Sequence, residues 1–208
     1  MSARISLFLL VWGLAVVLAV VALHVHAARP GMADTSPATL PAAFIPENSS
    51  RSVVLLFVHE KCPCSRASVQ ELARHSKLHE AAEIRIFLSG PGSSVEGGWS
   101  IRELIESRLP QARIIPDTEG GYALQFGART SGHAVLYRAS GELHFSGGLT
   151  PSRGHMGPCS GRSAIETLVS GAALSGPTST DAAAVFGCPL FSPGTETKAC
   201  CGIDHPID

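Results

Sequence analysis

The stretch Ser52-Val-Val-Leu-Leu-Phe-Val58, followed by His59-Glu60-Lys61-Cys62-Pro63-Cys64-Ser65 and then Arg66-Ala-Ser-Val-Gln-Glu-Leu-Ala73, decides the fold. Val53 to Val58 is a short continuous apolar run, the pattern of a strand buried on both faces of a sheet. Ser65 to Leu78 places Val69, Leu72 and Ala73 on one helical face. Pro63 suits the first helical position, because its missing N–H would have had no partner there. Cys62 is then the expected N-cap, with its sulfur facing the amides of Cys64 and Ser65. A sulfur so placed meets unpaired N–H groups and the positive end of the helix dipole, and both favour thiolate over thiol. Two inert core cysteines would be the plainer explanation, but cysteines flanking a proline at a helix start argue against it.

The rest of the chain bounds what this junction serves. Its 208 residues suit one ordinary domain with appendages, and 45% hydrophobic residues are enough for a packed core. A net charge of −1 with no basic stripe makes nucleic acid a poor partner. Six cysteines favour an oxidising compartment. The N-terminus agrees: Arg4 precedes an apolar run in which Leu7 to Leu23 carries no charge. That run exceeds a usual signal-peptide core and approaches the ~20 residues needed to span a bilayer. An uncleaved anchor with Arg4 on the cytoplasmic side is expected ahead of a signal peptide cut near Val25-His26-Ala27. Both export the remainder, toward the periplasm or exterior.

Residues 1–27 are therefore read as a transmembrane anchor or signal peptide. Residues 28–50, rich in Pro and Ala without a sustained period, read as a linker lifting the domain off the membrane. Residues 51–174 form the domain, and 175–208 a cysteine-containing tail. Within the domain Glu83 to Leu88 alternates like a strand, Ser89 to Gly98 is a Gly/Ser/Pro loop, and Trp99 to Leu109 reads as a helix stopped by Pro110. Arg113 to Ile115 is a short strand and Gly120 to Phe126 a short helix. His133–Tyr137 and Glu142–Ser146 flank Ser140-Gly141, a hairpin signal, with Gly147-Gly148 expected to break the second strand. Ser160 to Ser170 is a helix capped by Ser160 or Ser163. The order is β-α-β-α-β-α-β-β-α, an α/β arrangement.

That order, with Cys62-Pro-Cys64-Ser between the first strand and first helix, resembles the thioredoxin-like fold. Ile114-Ile-Pro-Asp117 through Tyr122-Ala-Leu-Gln-Phe-Gly127, followed by His133-Ala-Val-Leu-Tyr137, is similar to the strand-helix insert and hairpin of membrane-anchored TlpA/ResA-type proteins. His59 to Ser68, with Ser146-Gly-Gly-Leu-Thr150 and Phe186-Gly-Cys-Pro-Leu190, resembles the bacterial RedB-like proteins. The resemblance covers residues 51 to 191 and implies a bacterial cytoplasmic-membrane protein with one span and a redox-active centre outside the cytoplasm. Two departures stand out. The fourth position of the usual Cys-x-x-Cys pair is Ser65, with the second cysteine one residue earlier. The proline that such proteins carry before the hairpin is replaced by Ser131-Gly132-His133, so that Gly132 leaves room over the sulfur and His133 enters its neighbourhood.

The favoured chemistry is thiol–disulfide exchange with protein thiols or disulfides, needing no cofactor. Cys62 is the expected attacking thiolate, assisted by Lys61 or His59, since a nearby cation favours the thiolate. Cys64 is the adjacent second thiol, but a disulfide between residues two apart closes a strained, easily reduced ring. Cys159, Cys188, Cys200 and Cys201 are alternative resolving thiols, and a Cys159–Cys188 structural staple is an equal possibility. The alternative class is Cu or Zn handling by Cys62 and Cys64 with His133, or with His59, Cys200, Cys201 or His205, because thiolate and imidazole suit both metals. His75, His79, His144 and His155 are expected to have ordinary surface or loop roles. Peroxidase chemistry is disfavoured by His59 three residues before Cys62. Arg153-Gly-His-Met-Gly157 reads as a flexible rim loop without phosphate-loop spacing.

Overall fold

Six successive apolar side chains leave β1 (Ser52–His59) no solvent face, and the chain builds a layer against each side of it. The computed structural model describes residues 3–46, 50–90, 100–171 and 183–191. Parallel strand β2 (Ala82–Ser89) lies on one side of β1, with β3 (Arg113–Pro116) beyond it. On the other side lies β4 (His133–Tyr137), antiparallel to β1, and β5 (Leu143–Gly148) completes the sheet in the order β3-β2-β1-β4-β5. The fold is a thioredoxin-like α/β fold, as the element order implied.

Alternation along β1 divides the core. Val54, Leu56 and Val58 face a layer made by α2 (Pro63–Ala73), α4 (Ile101–Arg108) and α6 (Ser160–Ser170), through Val69, Leu72, Ile101, Ile105, Ile165 and Leu168. Val53, Leu55 and Phe57 face the opposite way, toward Leu40, Phe44, Ala123, Phe126 and Leu190. Phe57 stacks on Phe87 at 4.8 Å between centroids, and Phe44 meets Phe126 edge-on at 4.9 Å. Edge-to-face and offset pairs of this kind match the aromatic quadrupole.

That second layer changes the reading of residues 28–50. The segment before residue 47 is packed against the domain. Ser36, Leu40 and Phe44 are buried, Thr39 bridges Glu142, and Leu40 N–H donates to Gly141 O at 2.8 Å. Leu143 N–H donates to Ala38 O at 2.9 Å, so the segment covers the free edge of β5. Its prolines and alanines carry no periodic signal because it packs as an irregular strap with one 3-10 turn at Ala42–Phe44, not as an α-helix or long strand.

Other boundaries shift for local reasons. The helix expected over 65–78 ends at Ala73, and a separate turn, α3 (Leu78–Ala81), buries Leu78 before β2 begins. Ser100 caps α4 through a reciprocal capping box with Glu103. Asp117 accepts from the amides of Tyr122 and Ala123 and starts α5 (Gly121–Gln125). Gly147 and Gly148 do not break β5: they pair with Ala134 and His133, and their missing side chains admit Ala183 to Val185. Cys159, not Ser160 or Ser163, is the N-cap of α6. At the N-terminus α1 (Ala3–Ala28) is exposed throughout its apolar length, and an 18-residue stretch within Arg4–Ala27 has a mean hydropathy of 2.8, so that the helix is long and apolar enough to cross a membrane. A signal sequence has the same properties.

Candidate functional site: a three-thiol cluster at the start of α2

Cys62 has extended backbone (φ −97°, ψ 118°) and is the N-cap of α2, with Pro63 at the first helical position. β1 delivers the chain to this point, and a turn closed by Cys62 N–H to His59 O, 3.2 Å, redirects it. The Cys62 sulfur makes no capping hydrogen bond, but the backbone amides of Ser65 and Cys64 lie near enough to favour its thiolate, and Ser65 N–H donates to Cys62 O at 3.1 Å. The sulfur also receives the thiol and the amide of Cys188, from a segment more than a hundred residues away in sequence. Burial alone pushes the Cys62 thiol up, but these donors outweigh it, and the thiol lies below its ordinary range.

Cys64 and Cys188 go the other way. Burial, then the charge and thiol contact of Cys62, push the Cys64 thiol up against the amide of Gly154 and the guanidinium of Arg153. Burial and the same two influences of Cys62 push Cys188 up to about 11, again opposed by Arg153. One sulfur is thus held as the acceptor of the cluster and two as protonated donors. All four described cysteines (Cys62, Cys64, Cys159 and Cys188) are free thiols.

Ser65 occupies the position where a second cysteine commonly sits, and its hydroxyl is structural. Ser65 Oγ donates to His59 O at 2.9 Å and lies 2.5 Å from Ser131 Oγ, and His59 N–H reaches both hydroxyls at 3.0 and 3.1 Å. This pair ties the end of β1 and the start of α2 to the loop before β4. Gly132 follows with φ +90° and donates its N–H to Phe57 O at 2.7 Å. A Cβ there would lie 2.6 Å from Ser68 Oγ. Gly132 therefore does not leave an opening over the sulfur. The space is filled by residues 183–191, held by Ser131 N–H to Cys188 O at 2.8 Å and Leu190 N–H to Arg129 O at 3.0 Å.

Three expected neighbours take other roles. His133 turns to the face shared by Val135 and Tyr137, where Nε2 lies 2.8 Å from Ser146 Oγ. Ser146 Oγ is 2.8 Å from Ser36 Oγ, which donates to Phe126 O. Burial lowers His133 to about 4, so it is a neutral core imidazole and not a neighbour of the thiols. Lys61 is exposed, and its amide donates to His59 Nδ1 at 3.2 Å; neither side chain is among the influences on Cys62. Among the described residues no group of three His, Cys, Asp or Glu side chains forms a metal-ligand set, and the third donor proposed on sequence grounds, His133, is turned away. Cys159 caps α6 and interacts with Arg162, while Cys188 lies at Cys62, so the two do not form a staple here. Cys200, Cys201 and His205 lie outside the described residues.

Arg153 was missed in the sequence, where its loop reads as a flexible rim. Its guanidinium donates to Gly187 O, and its charge acts on both Cys64 and Cys188. Only the Gly-rich loop around it was legible, because the contact joins residues far apart in the chain.

No protein-family model matches the chain, and no curated protein matches it. Solved structures do. An uncharacterised conserved protein from Geobacillus kaustophilus is 17% identical with a TM-score of 0.53, covering 80% of this chain and 95% of its own. A hypothetical protein from Sinorhizobium meliloti is 15% identical with a TM-score of 0.54, covering 81% of this chain and 98% of its own. A secreted disulfide oxidoreductase from Mycobacterium tuberculosis is 16% identical with a TM-score of 0.43, covering 68% of this chain and 96% of its own. At such identities the likeness is one of fold, and the structural neighbours include thioredoxin-like proteins.

Proposed function

We propose that the protein is a membrane-tethered, exported thiol–disulfide oxidoreductase of the kind its TlpA/ResA-like and RedB-like sequence features suggest. Cys62 is its central thiolate, and protein thiols or disulfides outside the cytoplasm are its substrates. The observation that carries this reading is the unequal cluster: Cys62 is lowered by four donors while Cys64 and Cys188, in contact with it, are raised. A low-pKa sulfur is both the better-populated nucleophile near neutral pH and the better leaving group when its disulfide is attacked. Inert structural thiols have no need of such a difference. The tether is supported by the exposed apolar helix α1, with Arg4 at its start.

The test is exchange with oxidised glutathione. Reduced full-length protein in detergent should lose two hydrogens as an internal disulfide forms, and Cys62→Ser should slow this by at least about 100-fold. Equal rates in wild type and Cys62→Ser would reject the assignment. After alkaline carbonate washing, the protein should remain with membranes; release into the wash would remove the tether from the proposal.

A further inference from the structure

The cysteine best able to hold negative charge is not the one that meets solvent. Cys62 is 2% exposed and Cys64 4%, whereas Cys188 is only half-buried. Its placement is built from both sides. Cys188 O accepts from Ser131 N–H, Thr130 and Pro189 form an antiparallel bridge, and Leu190 N–H donates to Arg129 O. On the preceding side Val185 O accepts from Gly31 N–H at 2.7 Å, and Gly187 O accepts from the Arg153 guanidinium. Val185 and Leu190 are buried and anchor the two ends. Gly187 is required by the approach, since a Cβ on it would fall 1.9 Å from Ser131 O. The outcome is a backbone clamp that holds Cys188 beside the start of α2, where its thiol and amide act on Cys62.

We infer that Cys188, not Cys64, is the redox partner of Cys62, and that it is the sulfur through which protein thiols enter. This assignment rests on the thiol–disulfide reading above. Closing a bond from thiol contact needs only side-chain movement, and the two cysteines belong to separate segments, so no short ring is strained. Cys64 contacts Cys62 as well, but its bond would close through Pro63 alone, and its sulfur is buried under the amide of Gly154.

The exchange then balances as follows. An incoming substrate thiolate attacks Cys188 Sγ of the Cys62–Cys188 disulfide. The Cys62–Cys188 bond breaks, its electron pair goes to Cys62 Sγ against the amides of Cys64 and Ser65, and Cys188 is left in a mixed disulfide with the substrate. A second substrate thiolate attacks the substrate sulfur of that bond and expels Cys188 as a thiolate, which takes up a proton beside Arg153. Two substrate thiols have become one disulfide; the protein pair has gained two electrons and one proton, the proton resting on Cys188, Cys62 remaining a thiolate and the second substrate proton passing to solvent. A substrate disulfide drives the same steps backward. Access selects which sulfur is attacked, and leaving-group acidity selects which departs; here both choose the same direction.

Disulfide mapping by mass spectrometry decides it, on full-length wild type, Cys64→Ser and Cys188→Ser oxidised with glutathione disulfide. A Cys62–Cys188 link in wild type and in Cys64→Ser is expected. Cys188→Ser, checked for an unchanged melting temperature, should lose at least about 10-fold of the wild-type rate of exchange against a reduced dithiol peptide. Cys62→Ser, oxidised with an aromatic disulfide, should carry the probe on Cys188. A Cys62–Cys64 link, or probe on Cys64, overturns the assignment while leaving the thiol–disulfide reading intact. Loss of exchange in wild type itself would instead remove that reading.

Discussion

Ser65 and His133 show how far a residue's type is from its role. A serine at the fourth position of the cysteine motif reads as a lost thiol, yet its hydroxyl joins β1, α2 and the loop before β4 through Ser131. A histidine beside an open-looking Gly132 reads as a ligand, yet it is a buried partner of Ser146. Neither role is visible in sequence, because each depends on a contact with a residue remote in the chain. What was legible is the local physics: Pro63 and the helix start fixed Cys62 as the cap and its amide partners. The His133 role has a measurable consequence. Burial lowers it to about 4, so the unfolded chain, with a histidine near its ordinary ~6.5, binds more protons between those values. Its contribution is complete above the unfolded value and is lost as pH falls toward the folded one. Over that window the loss is about 3 kcal/mol for this group, with His75 and His144 lowered in the same direction. Urea unfolding should show stability falling from about pH 7 to about pH 4.5, and His133→Gln should flatten that fall. An unchanged slope in His133→Gln would mean that the imidazole is not buried neutral.

At the scale of elements, the strands and helices that carry strong local patterns were readable. β4 and α6 occur over the spans read for them, and Ser140-Gly141 marks the hairpin, with Gly141 at φ +82°. Elements defined by neighbours were not. Gly147-Gly148 looks like a strand break and is instead a strand surface kept flat so that residues 183–185 can lie on it. The C-terminal segment itself was half legible: Phe186, Leu190 and Phe191 announce burial, but nothing in them says whether Cys188 meets Cys62 or Cys159. The clamp around Cys188 depends on one glycine. Gly187→Ala puts a methyl group into Ser131 O, and the segment must move off the loop before β4. The sheet and helices do not depend on that contact, so far-ultraviolet circular dichroism should be unchanged. Cys62, now uncovered, should react with iodoacetamide at least about 10-fold faster than in wild type. An unchanged rate would show that residues 186–190 do not shield it. Gly132→Pro is the poorer probe, since proline cannot adopt φ +90° and would remove the N–H bonded to Phe57 O.

For the molecule as a whole, the sheet has one face covered by α2, α4 and α6 and the other by α5 together with segments that precede and follow the βα core. The strap before residue 47 and the segment 183–191 touch each other as well as the sheet, through Gly31 N–H to Val185 O. Thr130 Oγ1 also donates to Met32 O at 2.7 Å, and Arg153 N–H to Ala27 O at 3.2 Å. The end of α1, the thiol clamp and the loop carrying Arg153 are therefore one connected corner of the protein. If α1 spans a membrane as proposed, this corner stands close to the bilayer surface. This arrangement requires the strap to be structural, which a single side chain tests. Phe44 is buried against Phe87, Tyr122 and Phe126, with the Arg85 guanidinium 5.9 Å from its ring centroid. Removing such a ring from a packed aromatic cluster costs about 3–5 kcal/mol, the lost transfer energy plus the cavity left behind. In a solvated tether the same change costs less than about 0.5 kcal/mol. Urea unfolding of Phe44→Ala in the full-length, detergent-solubilised protein should show the larger value. The variant should also expose the neighbouring aromatic rings to solvent, which tyrosine fluorescence from Tyr122 and Tyr137 reports. A loss below about 0.5 kcal/mol would return residues 28–50 to the role of a spacer and detach α1 from the thiol site.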